Sequence, residues 1–237
     1  DPPPELLQNP RMFTINHDLL RNAWDLLTDH PAVSWILGGA GSGKSTICAE
    51  LARTLAVPVY DMDERIYGSY FERYLPDRHP ANTAWAAAED GMAWLLNTGW
   101  DEFDAFSRAA AAEYLDLFAA DIAQSDRTDR LLVDGGLYHP ALLSRVIPSE
   151  RIVCLAVPHL NSETVWTGTA ERLAMKEMMS EMPDPDAAWR TFLEFDARMT
   201  ETIVSEAAAI GAPVVSREPG EEISTVAARV SAVLGLE

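Results

Sequence analysis

Apolar runs of strand length recur along the chain at Val33 to Gly38, Val57 to Tyr60, Leu131 to Val133, Ile152 to Val157 and Pro213 to Val215. The third and fourth are apolar throughout rather than alternating, the pattern of strands covered on both faces. Between the runs the period lengthens to that of helices. Asn16 is placed to cap a helix to about Asp29 that carries Leu19, Leu20, Ala23, Trp24 and Leu27 on one face, which predicts packing on the sheet. A second helix follows from Lys44 to about Ala56. Residues 64–130 form a long, mostly helical insertion with an Ala-rich piece from Asn82 to Leu96 and another from Asp101 to Ala123, interrupted at Asn97 to Trp100. Helical pattern resumes from Glu163 to Glu181, is broken by Pro183 and Pro185, continues to about Ile210, and returns in a last helix capped between Gly220 and Ser224. Strands alternating with helices predict an α/β domain around a parallel sheet. The 237 residues suit one such domain. Its parts are an N-terminal arm and helix (1–30), the insertion (64–130) and a helical lid (162–200).

The glycine cluster after the first run sharpens this picture. Gly38-Gly39-Ala40-Gly41-Ser42-Gly43-Lys44-Ser45-Thr46 completes the pattern G-x-x-x-x-G-K-[ST], preceded by a strand and followed by a helix as that pattern requires. Glycines let backbone N–H groups curl around phosphate oxygens in front of a helix N-terminus. Lys44 is expected to reach the β- and γ-phosphates of a nucleoside triphosphate and Ser45 to ligate Mg²⁺, with Gly39 to Thr46 cradling the phosphates.

Other acidic and glycine positions fall at the ends of the predicted strands, where ligands of open α/β sheets bind. Asp61 and Asp63 point the same way if extended geometry continues past Tyr60, and two such carboxylates suit metal and base roles; the same pair also fits an acidic helix cap. Asp134 ends the third strand as a carboxylate for hydrated Mg²⁺, and Gly135 and Gly136 permit close backbone approach to a ligand. Arg65, Tyr67, Tyr70, Arg73, Tyr74, Arg78 and His79 gather rings and cations at the start of the insertion. They suit an acceptor site or an amphipathic rim equally. The acidic residues of the later insertion, Glu113, Asp116 and Asp121 among them, read as a solvated face. Arg172 and Lys176 share a helix face in the lid and are expected to close over a transferring phosphoryl group; Arg190 and Arg198 are weaker alternatives.

Composition narrows the setting. A formal charge of −19 disfavours nucleic acid and anionic membrane surfaces as partners. Lys44 and Lys176 are the only lysines among 18 basic residues. Cys48 and Cys154 stand alone in apolar stretches, as buried thiols of a reducing cytoplasm do. No apolar stretch is long enough to span a bilayer, and no segment has the make-up of a signal peptide.

The order of elements resembles the nucleoside-monophosphate-kinase-like group of P-loop small-molecule kinases, which includes shikimate kinase, gluconate kinase, chloramphenicol phosphotransferase and the zeta toxins. The resemblance runs from Val33 to the C-terminus in layout, and is specific in sequence only at the phosphate loop. It implies a three-layer P-loop NTPase fold with a five-stranded parallel sheet, a helical insertion and a helical lid. By likeness to shikimate kinase, Asp61 takes the metal side and Asp63 the reacting hydroxyl, while Gly135 and Gly136 touch substrate; Arg65 and Tyr67 of the insertion are candidate acceptor contacts by their own chemistry, since no match to that enzyme's substrate arginines can be placed. Arg217, in the loop Ser216 to Pro219 after the last strand, falls where the group contacts adenine. The implied activity is ATP- and Mg²⁺-dependent phosphoryl transfer to a hydroxyl of a small molecule. The alternatives are a nucleoside-monophosphate kinase, a zeta-toxin-like sugar-nucleotide kinase, or a nucleotide-dependent ATPase or switch without an acceptor.

Overall fold

The computed structural model describes residues 13–28, 33–125 and 130–236. The N-terminal arm, the end of the first helical stretch and the acidic residues Asp126 and Asp129 lie outside the described residues. In chain order the elements are α1 His17–Thr28, β1 Val33–Gly38, α2 Lys44–Leu55, β2 Val59–Asp61, α3 Met62–Ile66, α4 Pro80–Ala86, α5 Gly91–Leu96, α6 Trp100–Ala123, β3 Leu131–Asp134, α7 Pro140–Leu143, β4 Ile152–Ala156, α8 Ser162–Thr167, α9 Ala170–Met178, α10 Pro185–Ala209, β5 Val214–Ser216 and α11 Ile223–Leu234. The Ala-rich piece from Asn82 is two short helices, because Asp90 caps a new start by accepting from the amides of Met92 and Ala93. The lid likewise divides at Gly168 and Thr169, where the Thr169 hydroxyl caps α9.

The strands make one parallel sheet in the order β2-β3-β1-β4-β5. Both faces are covered, and alternate residues of a strand serve opposite layers. On β1, Trp35 and Leu37 join the core with α1, α6 and α10, whereas Ile36 packs with α2 and α11. The result is the three-layer α/β architecture expected from the strand pattern. Register fixes the site end: Ile36 pairs with Asp134 and Asp134 with Asp61, so the strand ends carrying both aspartates lie level across the sheet.

Helix α1 packs chiefly on α6 rather than on the sheet: its buried Leu20, Ala23 and Leu27 join the core that α6 shares with the strands, and Trp24 is left exposed.

The acidic stripe of α6 is not a solvated face. Glu113 and Asp116 are 2% and 3% exposed. The Glu113 carboxylate accepts from the amides of Ala81 and Asn82 and from Asn82 Nδ2, at 2.9, 2.9 and 2.7 Å, and so caps α4, whose own N-cap residue His79 offers no side-chain bond. Asp116 receives Arg78 Nε and Nη2 at 2.7 and 2.6 Å, His79 Nε2 at 3.1 Å and Asn22 Nδ2 at 3.0 Å. Asp121 accepts from Tyr60 Oη at 2.6 Å and pairs with Arg73 at 2.7 Å. These bonds tie the insertion to α6 and β2. Among the described residues, no helix is long and apolar enough to cross a membrane.

Burial raises the Asp116 carboxyl, but hydrogen bonds from His79 and Arg78 outweigh it and hold the group at about 2. The folded value lies below the unfolded one. The network's contribution is therefore complete above about pH 4 and vanishes as pH falls through about 2. Asp116→Asn should lower unfolding free energy at neutral pH by roughly 1–3 kcal/mol, with the gap to wild type closing in acid, as urea titrations at several pH values would measure.

Candidate functional site

The site is built where β1 runs into α2. Gly41 and Gly43 adopt left-handed φ values of 76° and 90°, which curls the loop back on itself, and the Ser42 amide donates to the Gly39 carbonyl at 3.2 Å. Gly43 caps α2 without a side chain, so the first-turn amides of this helix face the loop with no side-chain acceptor. Lys44 Nζ donates to the Gly39 carbonyl at 3.3 Å and lies across the loop mouth.

Three neighbours converge on it. The turn after β3 is pinned to β1 from both sides: Trp35 Nε1 donates to the Gly135 carbonyl at 2.8 Å, and the Gly135 amide donates to the Ile36 carbonyl at 3.0 Å. A Cβ on Gly135 would lie 3.0 Å from Asp63 Oδ2 and 3.1 Å from Lys44 Cε, so both side chains pass close to this glycine. Arg172 comes from the lid, with Nη1 donating to the Val165 carbonyl at 3.2 Å and standing 3.4 Å from the Cβ position of Gly41. Arg217 arrives from the loop after β5, its Nη1 3.1 Å from the Cβ position of Gly43.

The two aspartates after β2 do not share one extended strand. Helix α3 begins at Met62, and Asp61 Oδ1 caps it by accepting from the Glu64 amide at 2.9 Å. The turn swings Asp63 separately into the crevice, where it is open to solvent on one side and surrounded by protein on the others. That enclosure raises its carboxyl to about 6; Lys44 opposes the shift, and Asp134 and Asp61 add to it. Asp134 is 5% exposed, and burial raises its carboxyl against a hydrogen bond from the Ser45 hydroxyl. Asp134 Oδ1 is buried without a partner.

Several sequence candidates land elsewhere. Lys176 does not extend to the loop; its ammonium sits over the Trp189 ring, 5.6 Å from the centroid. Arg65 lies over Tyr60 at 5.0 Å, and Arg198 pairs with Glu194 at 2.8 Å while covering Trp100. Gly136, by contrast, lines the cavity beside the loop while packing closely on Met62 and Ile66 of α3. Of the ring and cation cluster at the start of the insertion, Tyr67 alone lines the cavity beside the loop, while Tyr70, Arg73, Arg78 and His79 belong to the internal network.

That cavity, of about 480 Å³, has the loop residues Gly38 to Ala40 and Lys44 at one end and Asp63 and Tyr67 beside them. It also holds a carboxylate that sequence reasoning missed. Asp196 of α10 accepts from Ser162 Oγ at 2.5 Å, and burial raises its carboxyl although Ser162, Lys44 and Arg172 pull it down. Thr200, one turn later, meets Gly39 of the loop. The signal was there: Phe192, Phe195, Asp196, Met199 and Thr200 recur at helical spacing, a face too apolar for a solvated lid.

No family model matches the chain, and no curated protein matches it. Solved structures do. One is the crystal structure of TT1252 from Thermus thermophilus, 18% identical over 87% of this chain and 98% of that one, with a TM-score of 0.46. The parallel five-stranded sheet, with a glycine loop at the exit of its central strand, itself fits an α/β nucleotide-binding fold.

Gly135→Ala would force φ = 66° on a residue with a Cβ and drive that Cβ against Asp63. It should lower stability by about 1–2 kcal/mol, read as a drop in melting temperature, and should weaken the coupling of Asp63 to Lys44 seen when the carboxyl is titrated by NMR.

Proposed function

We propose that the protein is a phosphotransferase that moves the γ-phosphate of ATP to a hydroxyl of a small molecule. The observation that carries this reading is that Lys44 and Asp63 both flank Gly135 and both line a cavity that begins at the phosphate loop and continues away from it. A switch or simple ATPase has no use for such a second chamber.

Loop residues Gly39 to Thr46 cradle the phosphates with backbone amides and the α2 N-terminus. Lys44 neutralises the β- and γ-phosphates, and Arg217, beside Gly43, guards the nucleotide side. Mg²⁺ fits Ser45 and Asp134: the latter's buried Oδ1 lacks a partner, and the former's hydroxyl already points at the same carboxylate. Among the described residues, no cluster of three or more histidine, cysteine, aspartate or glutamate side chains is arranged to hold a metal, so an ion held by Ser45 and Asp134 would need further ligands from phosphate and water. When bound, it supplies charge neutralisation to the phosphates.

Asp63 accepts the acceptor's hydroxyl proton while the acceptor oxygen bonds to the γ-phosphorus. The bond from that phosphorus to the β,γ-bridging oxygen breaks, and ADP leaves. A carboxyl raised to about 6 suits this work, because it is ionised at neutral pH yet a stronger base than an ordinary aspartate. Arg172 stands over Gly41 to balance the charge spread on the transferring group. Asp61 holds the start of α3 and thereby aims Asp63.

Three measurements test the reading. Lys44→Ala should lower acceptor-dependent ADP release by at least ~10³-fold, since removing a preorganised cation from developing charge costs that much; near-wild-type turnover would remove the claim. The rate should fall below about pH 6 as Asp63 gains its proton and level off above it. Asp63→Asn should abolish that limb and lower kcat while ATP-analogue affinity, measured by calorimetry, stays near wild type.

A further inference from the structure

The chamber next to the loop is built from the wrong materials for an anionic acceptor. Helix α6 turns one stripe toward it, Phe103, Phe106, Ser107, Ala110, Ala111 and Tyr114, spaced three and four apart along a single face. Phe192, Phe195 and Met199 of α10 line it as well, Phe195 touching Phe103 ring to ring at 4.6 Å, and Tyr67, Trp85, Tyr138 and Trp166 add further rings. The alanines make the room. Between rings on either side, Ala110 and Ala111 present only methyl groups, and both are 2% exposed.

Charge points the same way. Among the described residues, Lys44 is the sole basic side chain lining the cavity, and it belongs to the phosphate loop. The acids lining it are Asp63 and Asp196. The cations of the insertion are engaged elsewhere: Arg73 with Asp121, Arg78 with Asp116, Arg108 between Asp104 and Glu206, and Arg65 on the Tyr60 ring. A carboxylate or phosphate on the acceptor would lose its water among rings and methyls, face two carboxylates and, away from Arg172 at the loop, find no guanidinium. An uncharged ring system meets edges and faces of matching polarity.

Resting on the phosphotransferase reading, we infer that the acceptor is an uncharged, largely apolar alcohol with an aromatic body. Its rings lie between α6 and α10, and its hydroxyl is presented to Asp63 beside Lys44. This choice sets aside nucleoside monophosphates and sugar acids, whose anionic groups the chamber does not serve.

The test uses the full chain with Mg²⁺ and ATP and reads ADP release on matched acceptors: benzyl alcohol, its carboxylate counterpart (hydroxymethyl)benzoate, naphthylethanol, shikimate and AMP. The neutral aromatic alcohols should exceed the anionic compounds by roughly a hundredfold in kcat/KM, the scale on which a buried unpaired group is rejected. Ala111→Leu, which fills the chamber, should raise KM for naphthylethanol about tenfold while affinity for a non-hydrolysable ATP analogue stays within about twofold. Phe192→Ala, which strips a ring from the α10 wall, should raise the same KM and serves where Ala111→Leu does not fold. Faster turnover of AMP, shikimate or the benzoate would overturn the inference and leave the phosphotransferase standing, as would a naphthylethanol KM indifferent to both variants. ADP release that no acceptor of either class stimulates would overturn the phosphotransferase reading and the inference with it.

Discussion

A single buried hydrogen bond, from the Trp35 indole to the Gly135 carbonyl, holds the two halves of the site in register. Trp35 is fully buried on the central strand, so its ring has no freedom to follow a shifting partner. With the Gly135 amide held by Ile36 from the same strand, the turn after β3 is fixed at both ends of one residue. Lys44 and Asp63 both flank this turn. Their geometry is set by sheet and core, the most rigid part of the molecule, and not by loop-to-loop contacts.

Around that turn the electrostatics run opposite to the chain's formal charge of −19. Much of the acidity is absorbed structurally, in Glu113, Asp116 and Asp121, where amides, arginines and tyrosines use every carboxylate as a fastening. At the site, one ammonium, that of Lys44, draws down the carboxyls of Asp63, Asp134 and Asp196 that burial pushes up. Net charge therefore says little about the loop, where backbone amides and the guanidiniums of Arg172 and Arg217 set the local sign.

The sequence was most readable where one residue type has one physical use. Continuous apolar runs located the covered strands, and the glycine loop located the strand exit that brings Arg172 and Arg217 together. Reading failed where distant partners decide the outcome. Glu113 and Asp116 lie one turn apart on α6 and look like surface charge, because Ala81, Asn82, Arg78 and His79 are more than thirty residues away in sequence. Asp61 and Asp63 were legible as acids at a strand end. Their separation was not, since one turn of helix after Asp61 breaks the two-residue alternation. Lys176 shares a helix with Arg172, yet a π-face on α10 captures it. Helix α1 carries a face that suits a sheet or a helix equally, and only the presence of α6 decides between them.

Helix α6 serves two masters along one length. One face lines the chamber with rings and methyls, and a neighbouring stripe of acids clamps α1, α4 and the loop between α3 and α4. None of the residues on the chamber face belongs to the loop, the strand-end aspartates or the two guanidiniums. On the proposed reading, the chamber face could be recut for a different guest by exchanging methyls for larger or smaller groups, while the acidic stripe keeps the helix in place and leaves the glycine loop untouched.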